Sequence, residues 1–387
     1  MKTWKIPVLL SYISIASASA TIITPALPKI ETAFQIGDGM LEWVISIFLI
    51  GYMLGQIIYG PLANRIGRLP ALRVGFAVNL VGIAICLAGS YSGIYSVLLA
   101  GRFITAIGAS AGLVCTFILL NESLSPERAK HAISFAVVSF TLGIGAAVLL
   151  GGLITEYLNW EDCFWLLMMH GIIMLASTWI FDETLKETKN TALFHMLKEY
   201  GQALCHRQLF IFAMFVGLVS VFSYCFAAAA PVIAQHSLGL TSSEYGYFNL
   251  VNMLGMFIGA MLSGKALKNF NNIVVIIVAA FVMLLGIAFM FILDEMSMLN
   301  SFIFFGLSTL MYFASSFIFP AASHIASNAI ADKANASGAM NLINMGSAVL
   351  TVSIMGYLPL SPLLGFVIIT GGYAVLCLLA LTMAKNT

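Results

Sequence analysis

Long apolar runs alternate with short polar segments along the whole chain of 387 residues. Each run is close to the roughly 20 residues that an α-helix needs to cross a bilayer. A helix also pairs its own backbone amides, which hydrocarbon cannot do. The pattern therefore predicts twelve membrane-spanning helices, at about 6–27, 41–62, 71–90, 94–120, 132–154, 163–181, 209–234, 244–264, 273–293, 298–326, 336–357 and 362–384.

The first apolar run has features of a secretory signal, since basic residues precede it and a stretch of small residues, typical of a cleavage site, ends at Ala20. The apolar character continues past Ala20 through the sequence TIITPAL. The run is then long enough to cross a bilayer, and we interpret it as a retained first span.

Composition excludes a water-soluble globule, because 9% of the residues are charged and 61% are hydrophobic, whereas soluble domains carry about 25% charged residues. The net charge of +1 comes without basic clusters, so we expect no nucleic-acid partner. The six cysteines are scattered without a CxxC pair, which favours buried small side chains over disulfides or a metal site. We expect a monomer in a lipid bilayer, without metal or cofactor.

Lysines and arginines predict the orientation, because cytoplasmic loops carry an excess of them. If both termini are cytoplasmic, the basic loop residues fall inside, apart from Lys29. The longest polar segment, at 181–210, separates two halves of six spans. We therefore predict an N-terminal six-helix bundle at 1–182, a cytoplasmic linker at 183–207 and a C-terminal six-helix bundle at 208–387.

A weak internal echo relates the two halves. The sequence YMLGQIIYGPLANR near the end of the second span is similar to NMLGMFIGAMLSGKALKN near the end of the eighth, with Gly55 and Gly255 in corresponding places. Repeated halves are typical of secondary transporters. Chance recurrence of common membrane residues is the alternative.

Several motifs in the same order give the chain a resemblance to a known family. The stretch GPLANRIGR at 60–68 fits the pattern Gly-x-Leu-x-Asp-Arg-x-Gly-Arg except at Asn64. With PALPKI at 25–30, LLAGRFITAIGAS at 98–110, LLGGLITEYLNWEDCFW at 149–165 and DETL at 182–185, the chain resembles major facilitator superfamily transporters, most closely the Bcr/CflA type of drug:proton antiporter. The resemblance implies an all-α fold of two pseudo-symmetric six-helix bundles, a central substrate site and alternating access.

The resemblance also implies a gating role for the loop after the second span. In the family this loop clamps the two halves in the outward-facing state, and the matching residues here are Gly60, Asn64, Arg65, Gly67 and Arg68. Asn64 brings no charge where the family has aspartate, so we expect a weaker and less pH-sensitive clamp. The alternative is a tight loop that only sets the topology.

Arg102 is the one basic residue in the middle of a predicted span. A charge there costs at least ~2.5 kcal/mol on insertion scales, and such residues usually face a cavity and have a function. The resembling family ties an arginine at this position to proton or substrate coupling. The alternative is a structural arginine that binds carbonyl groups of neighbouring helices.

All sixteen acidic residues fall in loops or at span ends. The resembling antiporters commonly have an acidic residue four places before the PALP sequence, where this chain has Thr21, and Val148 replaces the proline of their fifth-helix signature. Both departures weaken the case for proton coupling through a membrane carboxylate and for selection of cationic drugs.

Other candidate residues for substrate binding or coupling are polar or aromatic. His170, in the sixth span, would add a pH-dependent charge to that of Arg102, and His324 is a weaker candidate near the end of the tenth. The first, fourth, seventh and tenth spans line the pathway in this superfamily, and they add Tyr12, Thr21, Thr24, Thr105, Tyr224 and Tyr312. Helix packing is the alternative role for each of these side chains.

The sequence predicts a secondary active transporter in the cytoplasmic (inner) membrane of a bacterium, with proton-linked efflux of drugs or metabolites as the first hypothesis. Because Arg102 is balanced by no mid-span acid in the sequence, a carrier of a carboxylate-bearing compound, such as an organic acid or siderophore, is the second. A receptor or scaffold on a transporter fold is a third. An intramembrane enzyme is excluded by the absence of HExxH, a membrane aspartate pair or a GxGxxG motif.

Overall fold

A computed structural model describes residues 4–37, 39–125, 127–129, 132, 135–185, 205–330 and 332–385. These residues contain no β-strand, and twelve of their helices are long and apolar enough to cross a membrane. We number them α1 (Lys5–Phe34), α2 (Trp43–Ile66), α3 (Arg68–Ser92), α4 (Tyr95–Ser123), α5 (Ala136–Tyr157), α6 (Asp162–Ile180), α7 (Arg207–Ser237), α8 (Ser242–Asn269), α9 (Asn272–Glu295), α10 (Ser301–Ser327), α11 (Lys333–Tyr357) and α12 (Pro362–Lys385). The predicted all-α fold with twelve spans is confirmed.

Among the helix boundaries, the end of α1 differs most from its prediction. The sequence predicts an end at 27, whereas the helix in the structure ends at Phe34. The polar Lys29 and the prolines suggested an end at this point. The structure instead continues with a 3₁₀ turn at Thr24–Ala26 and a helix at Leu27–Phe34, each with a proline near its start. Proline is tolerated in the first turn of a helix, where its missing N–H has no helical partner to lose.

The polar stretch at 60–68 is mostly helical, and its interpretation as a loop was wrong. Helix α2 includes Pro61 and runs to Ile66, and α3 begins at Arg68. Only Gly67 connects them, with a φ of 109° that a residue with a Cβ rarely adopts. The charged residues had suggested a longer turn, but two helices joined by one glycine place them at the helix ends.

Side-chain hydrogen bonds accompany the segmentation of α1. It consists of helices at Lys5–Ser11 and Ser14–Thr21, followed by the two elements already described. Its hydroxyl groups share one face and donate to carbonyls three or four residues earlier, in the pairs Ser11 to Val8, Ser14 to Ser11, Ser17 to Ser14, Thr21 to Ser17 and Thr24 to Thr21. Such bonds compete with the helical backbone pattern and bend helices.

The chain divides into two compact units, one of Met1–Ile36 with Ile47–His195 and the other of Gly37–Ser46 with Met196–Thr387. The first unit contains α1, most of α2, and α3 to α6. The second contains α7 to α12 and the first residues of α2. Most of the predicted linker, at 186–204, lies outside the described residues.

Glycines bring α3 and α4 of the first unit into close contact. They recur every seven residues on each helix, as Gly75, Gly82 and Gly89 on α3 and as Gly101 and Gly108 on α4. A Cβ added to Gly82 of α3 would lie 2.2 Å from the backbone nitrogen of Thr105, and one added to Gly108 of α4 would lie 2.2 Å from that of Asn79. Small residues allow this approach, which drives helix association in membranes, where no hydrophobic force between helices acts. The same unit packs α1 against α4, α5 and α6.

The internal echo in the sequence corresponds to the same contact in each unit. Gly55 of α2 lies against Ser110 and the Ile107 carbonyl of α4. Gly255 of α8 lies against Thr309 of α10, which is the equivalent pair of helices in the second unit. The repeated glycine therefore has a repeated packing function.

Aromatic and amide side chains form the core of the second unit. Phe222 and Phe226 of α7 pack against Tyr312 of α10 with centroid distances of 4.8 and 5.6 Å. Between α8 and α10, the carbonyl oxygen of the buried Asn252 side chain accepts hydrogen bonds from Ser308 and Thr309, both at 2.8 Å. A satisfied polar cluster of this kind joins helices inside a membrane.

Candidate functional site

Arg102 lies in the second turn of α4 and is fully buried, with 0% of its side chain surface exposed. Its guanidinium Nη1 donates to the carbonyl oxygen of Ser19, and Nη2 donates to that of Ala20 at 3.3 Å. Its Cζ atom lies 4.4 Å from the ring centroid of Phe48 on α2. The charge is therefore held by backbone dipoles of α1 and by an aromatic face, an arrangement that suits a planar guanidinium.

His170 lies in the middle of α6 and is half-buried. Its Nε2 atom is 3.3 Å from the hydroxyl oxygen of Ser14 on α1. Ser14 also donates to the Ser11 carbonyl at 2.6 Å, at the break between the first two helical segments of α1. The structure thus brings Arg102 and His170 to the same helix, although each contacts different residues of it.

Four other predicted residues of the first unit take part in helix packing. The Tyr12 hydroxyl accepts a hydrogen bond from Ser177 at 3.0 Å, and its ring lies edge-on to Phe76. The hydroxyls of Thr21 and Thr24 bond to their own helix, as described above. Thr105 is buried where α3 crosses α4, and its carbonyl accepts a hydrogen bond from Asn79 at 2.9 Å.

The remaining three predicted residues belong to the second unit. Tyr312 lies in the aromatic core with 7% of its surface exposed, and Tyr224 is half-buried. His324 is exposed near the end of α10, where its carbonyl accepts hydrogen bonds from Ser327 and Asn328. His324 thus differs from Arg102 and His170 in its access to solvent.

Arg68 organises the residues around the Gly67 turn. Its guanidinium forms an ion pair with Glu122 of α4 at 2.7 Å, and its Nη1 donates to the side-chain oxygen of Asn64 at 2.8 Å and to the Ala63 carbonyl at 2.7 Å. The neutral Asn64 is therefore a hydrogen-bond acceptor for the arginine, while the negative charge comes from Glu122. Only 8% of the Arg68 surface is exposed.

Glu183, which follows α6, caps the first turn of α3. Its carboxylate accepts hydrogen bonds at 3.0 Å from each of the backbone amides of Arg68 and Leu69, and at 2.9 and 2.8 Å from those of Thr184 and Leu185. Partial burial raises the pKa of the Glu183 carboxyl, but the four amide donors outweigh burial and hold its pKa below the usual range. The cap also places a negative charge at the positive end of the α3 dipole.

The other two predicted gating residues make fewer contacts at this turn. Arg65 is exposed, and a Cβ on Gly60 would meet open space, so no close helix approach requires that glycine. Sequence reasoning missed Glu122 and the capping role of Glu183, although Glu183 belongs to the DETL motif. It also missed Phe48 and Ser14, because helix-to-helix contacts leave no local sequence signal.

A cavity of about 670 Å³ lies between the start of α1 and the start of α5. Its walls are mainly apolar, with Leu10, Phe135 and Leu142 among them, and Glu127 and Arg128 add charge. The described part of the chain contains no group of three or more His, Cys, Asp and Glu side chains that could hold a metal ion.

Comparison with known proteins gives the family context of these contacts. A family model described as Major Facilitator Superfamily matches residues 9–352. The chain is 25% identical over 352 residues to Multidrug resistance protein D of Escherichia coli, which covers 90% of this chain and 87% of that protein. It is 26% identical over 221 residues to Multidrug resistance protein MdtL of Shigella flexneri, with 57% of this chain and 55% of that protein covered.

Solved structures support the fold. A crystal structure of a D-xylose-proton symporter superposes with a TM-score of 0.80, covers 97% of this chain and 96% of its own, and is 13% identical in sequence. A bacterial homologue of the human lysosomal transporter Spinster gives a TM-score of 0.68 at 16% identity, with 99% of this chain and 95% of its own covered. At these identities the likeness concerns the fold alone.

Proposed function

The chain belongs to the Major Facilitator Superfamily, and we propose that it exports small organic molecules, drugs or metabolites, in exchange for protons by alternating access. It is a multi-pass membrane transporter and not an enzyme. The relationship to Multidrug resistance protein D, which extends over 90% of the chain, is the observation that supports export most strongly. The proposal gives Arg102 a coupling role.

The contacts of Arg102 support that role. A permanently charged side chain inside a membrane is costly and is usually retained for function. The Ser19 and Ala20 carbonyls that bind it belong to a segmented helix, so movement of α1 changes the environment of the charge. Coupling requires a group of this kind, whose energy differs between two arrangements of the helices around it.

The charges of the described spans support a substrate without a positive charge. Every described acidic residue of the twelve helices lies within one turn of a helix end, as Glu31, Glu122, Glu156 and Asp294 do. A cationic drug would find no carboxylate in the middle of these helices. We therefore propose uncharged, largely apolar compounds as the preferred substrates.

Basic residues support the inner membrane of a bacterium, with both termini in the cytoplasm. Arg65 and Arg68 flank the Gly67 turn, and Lys265 and Lys268 occupy the last turns of α8. Under the positive-inside rule these ends face the cytoplasm. In this orientation the Arg68 and Glu183 contacts form the predicted cytoplasmic gate.

Movement of an organic anion is a second candidate, which the positive charge of Arg102 favours. The enclosure of its guanidinium by α1 and Phe48 leaves none of its surface for an anion, so anion binding would require these contacts to open. Benzoate serves as a probe for this candidate and chloramphenicol as an uncharged probe for drug export.

Proteoliposomes that are acidic inside test the proposal. If the protein exchanges drugs for protons, proton exit drives accumulation of radiolabelled chloramphenicol, and a protonophore abolishes it. Accumulation of benzoate alone, with loss in Arg102→Ala, would establish the anion carrier instead. Absence of flux for both probes, together with thermal stabilisation by either one, would favour a receptor or scaffold, since ligand binding stabilises the folded state.

A further inference from the structure

His170 is a titratable group in the middle of a span, at a helix break of its neighbour. It is the ninth of the sixteen residues of the α-helical part of α6, Asp162–Ser177. Ser14, whose hydroxyl lies 3.3 Å from its Nε2 atom, begins the second segment of α1, immediately after the break at Tyr12 and Ile13. A protonation event at His170 would therefore act directly on a bend of α1.

The hydrogen bonds of Ser14 indicate which imidazole nitrogen carries the proton. A serine hydroxyl has a single proton to donate. The Ser14 hydroxyl donates it to the Ser11 carbonyl, with 2.6 Å between the two oxygen atoms. Toward His170 the Ser14 oxygen must then accept, so Nε2 is protonated and Nδ1 is the basic nitrogen. Within the described residues, Nδ1 makes no hydrogen bond, and it remains available for a second proton.

The charged groups of the helices that pack on α6 lie toward the helix ends. From α1, Lys5 donates to the Ile180 carbonyl, and from α3, Arg73 donates to Thr178. The tyrosine hydroxyls of the same helices bond to other positions of α6. The Tyr12 hydroxyl bonds Ser177, and the Tyr91 hydroxyl bonds Trp165. On α5 the nearest described acid is Glu156, one residue from the end of that helix.

The other described ionisable groups inside the spans do not titrate near neutral pH. Arginine stays protonated, and tyrosine and cysteine lose their protons only well above neutrality, whereas histidine has an ordinary pKa of about 6.5. The described acids of the twelve spans lie within one turn of a helix end. The location of His170 thus corresponds to that of a membrane proton-relay residue, a role that histidine fills in pumps and transporters.

We infer that His170 is the proton-binding group of the transport cycle, with Ser14 as its positioning residue. Nδ1 takes up one proton from water on one side of the membrane and releases it to water on the other, and no covalent bond changes. The inference rests on the proposed proton-linked export. It assigns to an α6 imidazole the task that a carboxylate at position 21 would have, where this chain has Thr21.

Helix α1 provides a physical link between this proton and Arg102. Protonation adds a positive charge beside Ser14, and the Ser17 hydroxyl bonds the Ser14 carbonyl in the next turn. The carbonyls of Ser19 and Ala20, one turn further along, hold Arg102. Two groups on neighbouring helices, Arg102 and the protonated His170, then contact the segmented α1 with positive charge, so the protonated and deprotonated states differ in their preference for its bend.

His170→Gln and His170→Asn test the inference, because both remove the titration and each retains a polar group near one of the two ring nitrogens. His236→Gln, at an exposed site in the last turn of α7, is the matched control. Two activities of reconstituted protein are compared. One is chloramphenicol accumulation driven by an acidic lumen, and the other is exchange of labelled for unlabelled chloramphenicol without a pH gradient.

If His170 binds the transported proton, His170→Gln loses gradient-driven accumulation and retains exchange, while the control keeps both activities. The exchange rate of the variant also becomes independent of pH between 5 and 8, the range in which histidine titrates. Gradient-driven accumulation by both His170 variants would overturn the inference while leaving proton-linked export intact. Absence of accumulation by the unaltered protein would instead refute the proposed function itself.

Discussion

Arg68 and Glu122 form an ion pair between α3 and α4, with 2.7 Å between Nη2 and Oε1. The same arginine donates to Asn64, which occupies the position of an aspartate in the motif. The turn after α2 therefore has its negative charge on a neighbouring helix. Glu183 adds a second carboxylate from the segment after α6, so a neutral residue at 64 does not make the turn uncharged.

Replacement of the Glu122 carboxylate by an amide is expected to destabilise the protein. In Glu122→Gln one acceptor oxygen remains but the charge is lost, and a hydrogen bond to a charged group contributes about 1.5–3 kcal/mol. Because the Glu122 side chain is 33% exposed, solvent screening lowers the expected loss to about 1 kcal/mol. Thermal unfolding in detergent measures the effect, and Glu295→Gln, exposed at the end of α9, is the control. Equal unfolding midpoints for Glu122→Gln and the unaltered protein would show that the pair contributes nothing.

A carboxylate at position 64 is expected to rescue that variant. The side-chain oxygen of Asn64 is already 2.8 Å from Nη1 of Arg68, so Asn64→Asp adds a charge without moving a helix. In the Glu122→Gln background it should recover at least half of the lost unfolding midpoint. In the background of the native sequence its effect should be smaller, because Arg68 already has a carboxylate partner. A double variant no more stable than Glu122→Gln would contradict this explanation of the turn.

The stability contributed by Glu183 is expected to depend on pH. Burial opposes ionisation, but the amides of α3 and of the following residues lower the pKa of this carboxyl below its ordinary value of 4.5 in the folded protein. The stabilisation is therefore complete above that ordinary value and is lost as the pH falls through the lower, folded-state pKa. Unfolding midpoints between pH 7 and 3 should fall less steeply in Glu183→Gln than in the unaltered protein.

The adjacent Asp182 provides the control for this measurement. Its side chain is fully exposed, and the Lys5 ammonium lies 4.0 Å from its carboxylate. Asp182→Asn should leave the pH dependence of the midpoint unchanged. Parallel curves for Glu183→Gln and the unaltered protein would mean that the cap does not contribute to acid unfolding.

Lysine is not expected to replace arginine at position 102. Its ammonium group keeps the charge but lacks the planar fork that binds the Ser19 and Ala20 carbonyls and lies over Phe48. Chloramphenicol transport by Arg102→Lys should fall by about tenfold or more, the effect of roughly 1.4 kcal/mol in the rate-limiting barrier. The exposed Arg207→Lys is the control. Transport by Arg102→Lys at the rate of the unaltered protein would make charge alone sufficient.

Hydropathy predicted the number and type of helices because the bilayer imposes both a length and a backbone hydrogen-bond requirement. It placed the end of α1 too early and read a long turn at 60–68, since prolines and charges disturb the apolar pattern without breaking the helices. The single-glycine turn at Gly67 depends on its φ of 109°, which composition does not reveal.

The candidate site was predictable where it depended on residue type. Arg102 and His170 are unusual residues for the inside of a span, and their sequence positions alone identified them. The partners of Arg102 are carbonyl groups, which every residue has, so only the packing of α1 on α4 selects Ser19 and Ala20. Glu122 lies 54 residues from Arg68 in sequence, and its role likewise depends on tertiary packing.

Simultaneous measurement of drug and proton movement tests the central claim most directly. Proteoliposomes with a pH-sensitive dye in the lumen receive an outward gradient of chloramphenicol, with no initial pH difference across the membrane. If the protein is a proton-linked exporter, chloramphenicol leaves while protons enter, and the lumen acidifies only when both protein and drug are present. Chloramphenicol efflux through the protein without any change in luminal pH would contradict proton-linked export.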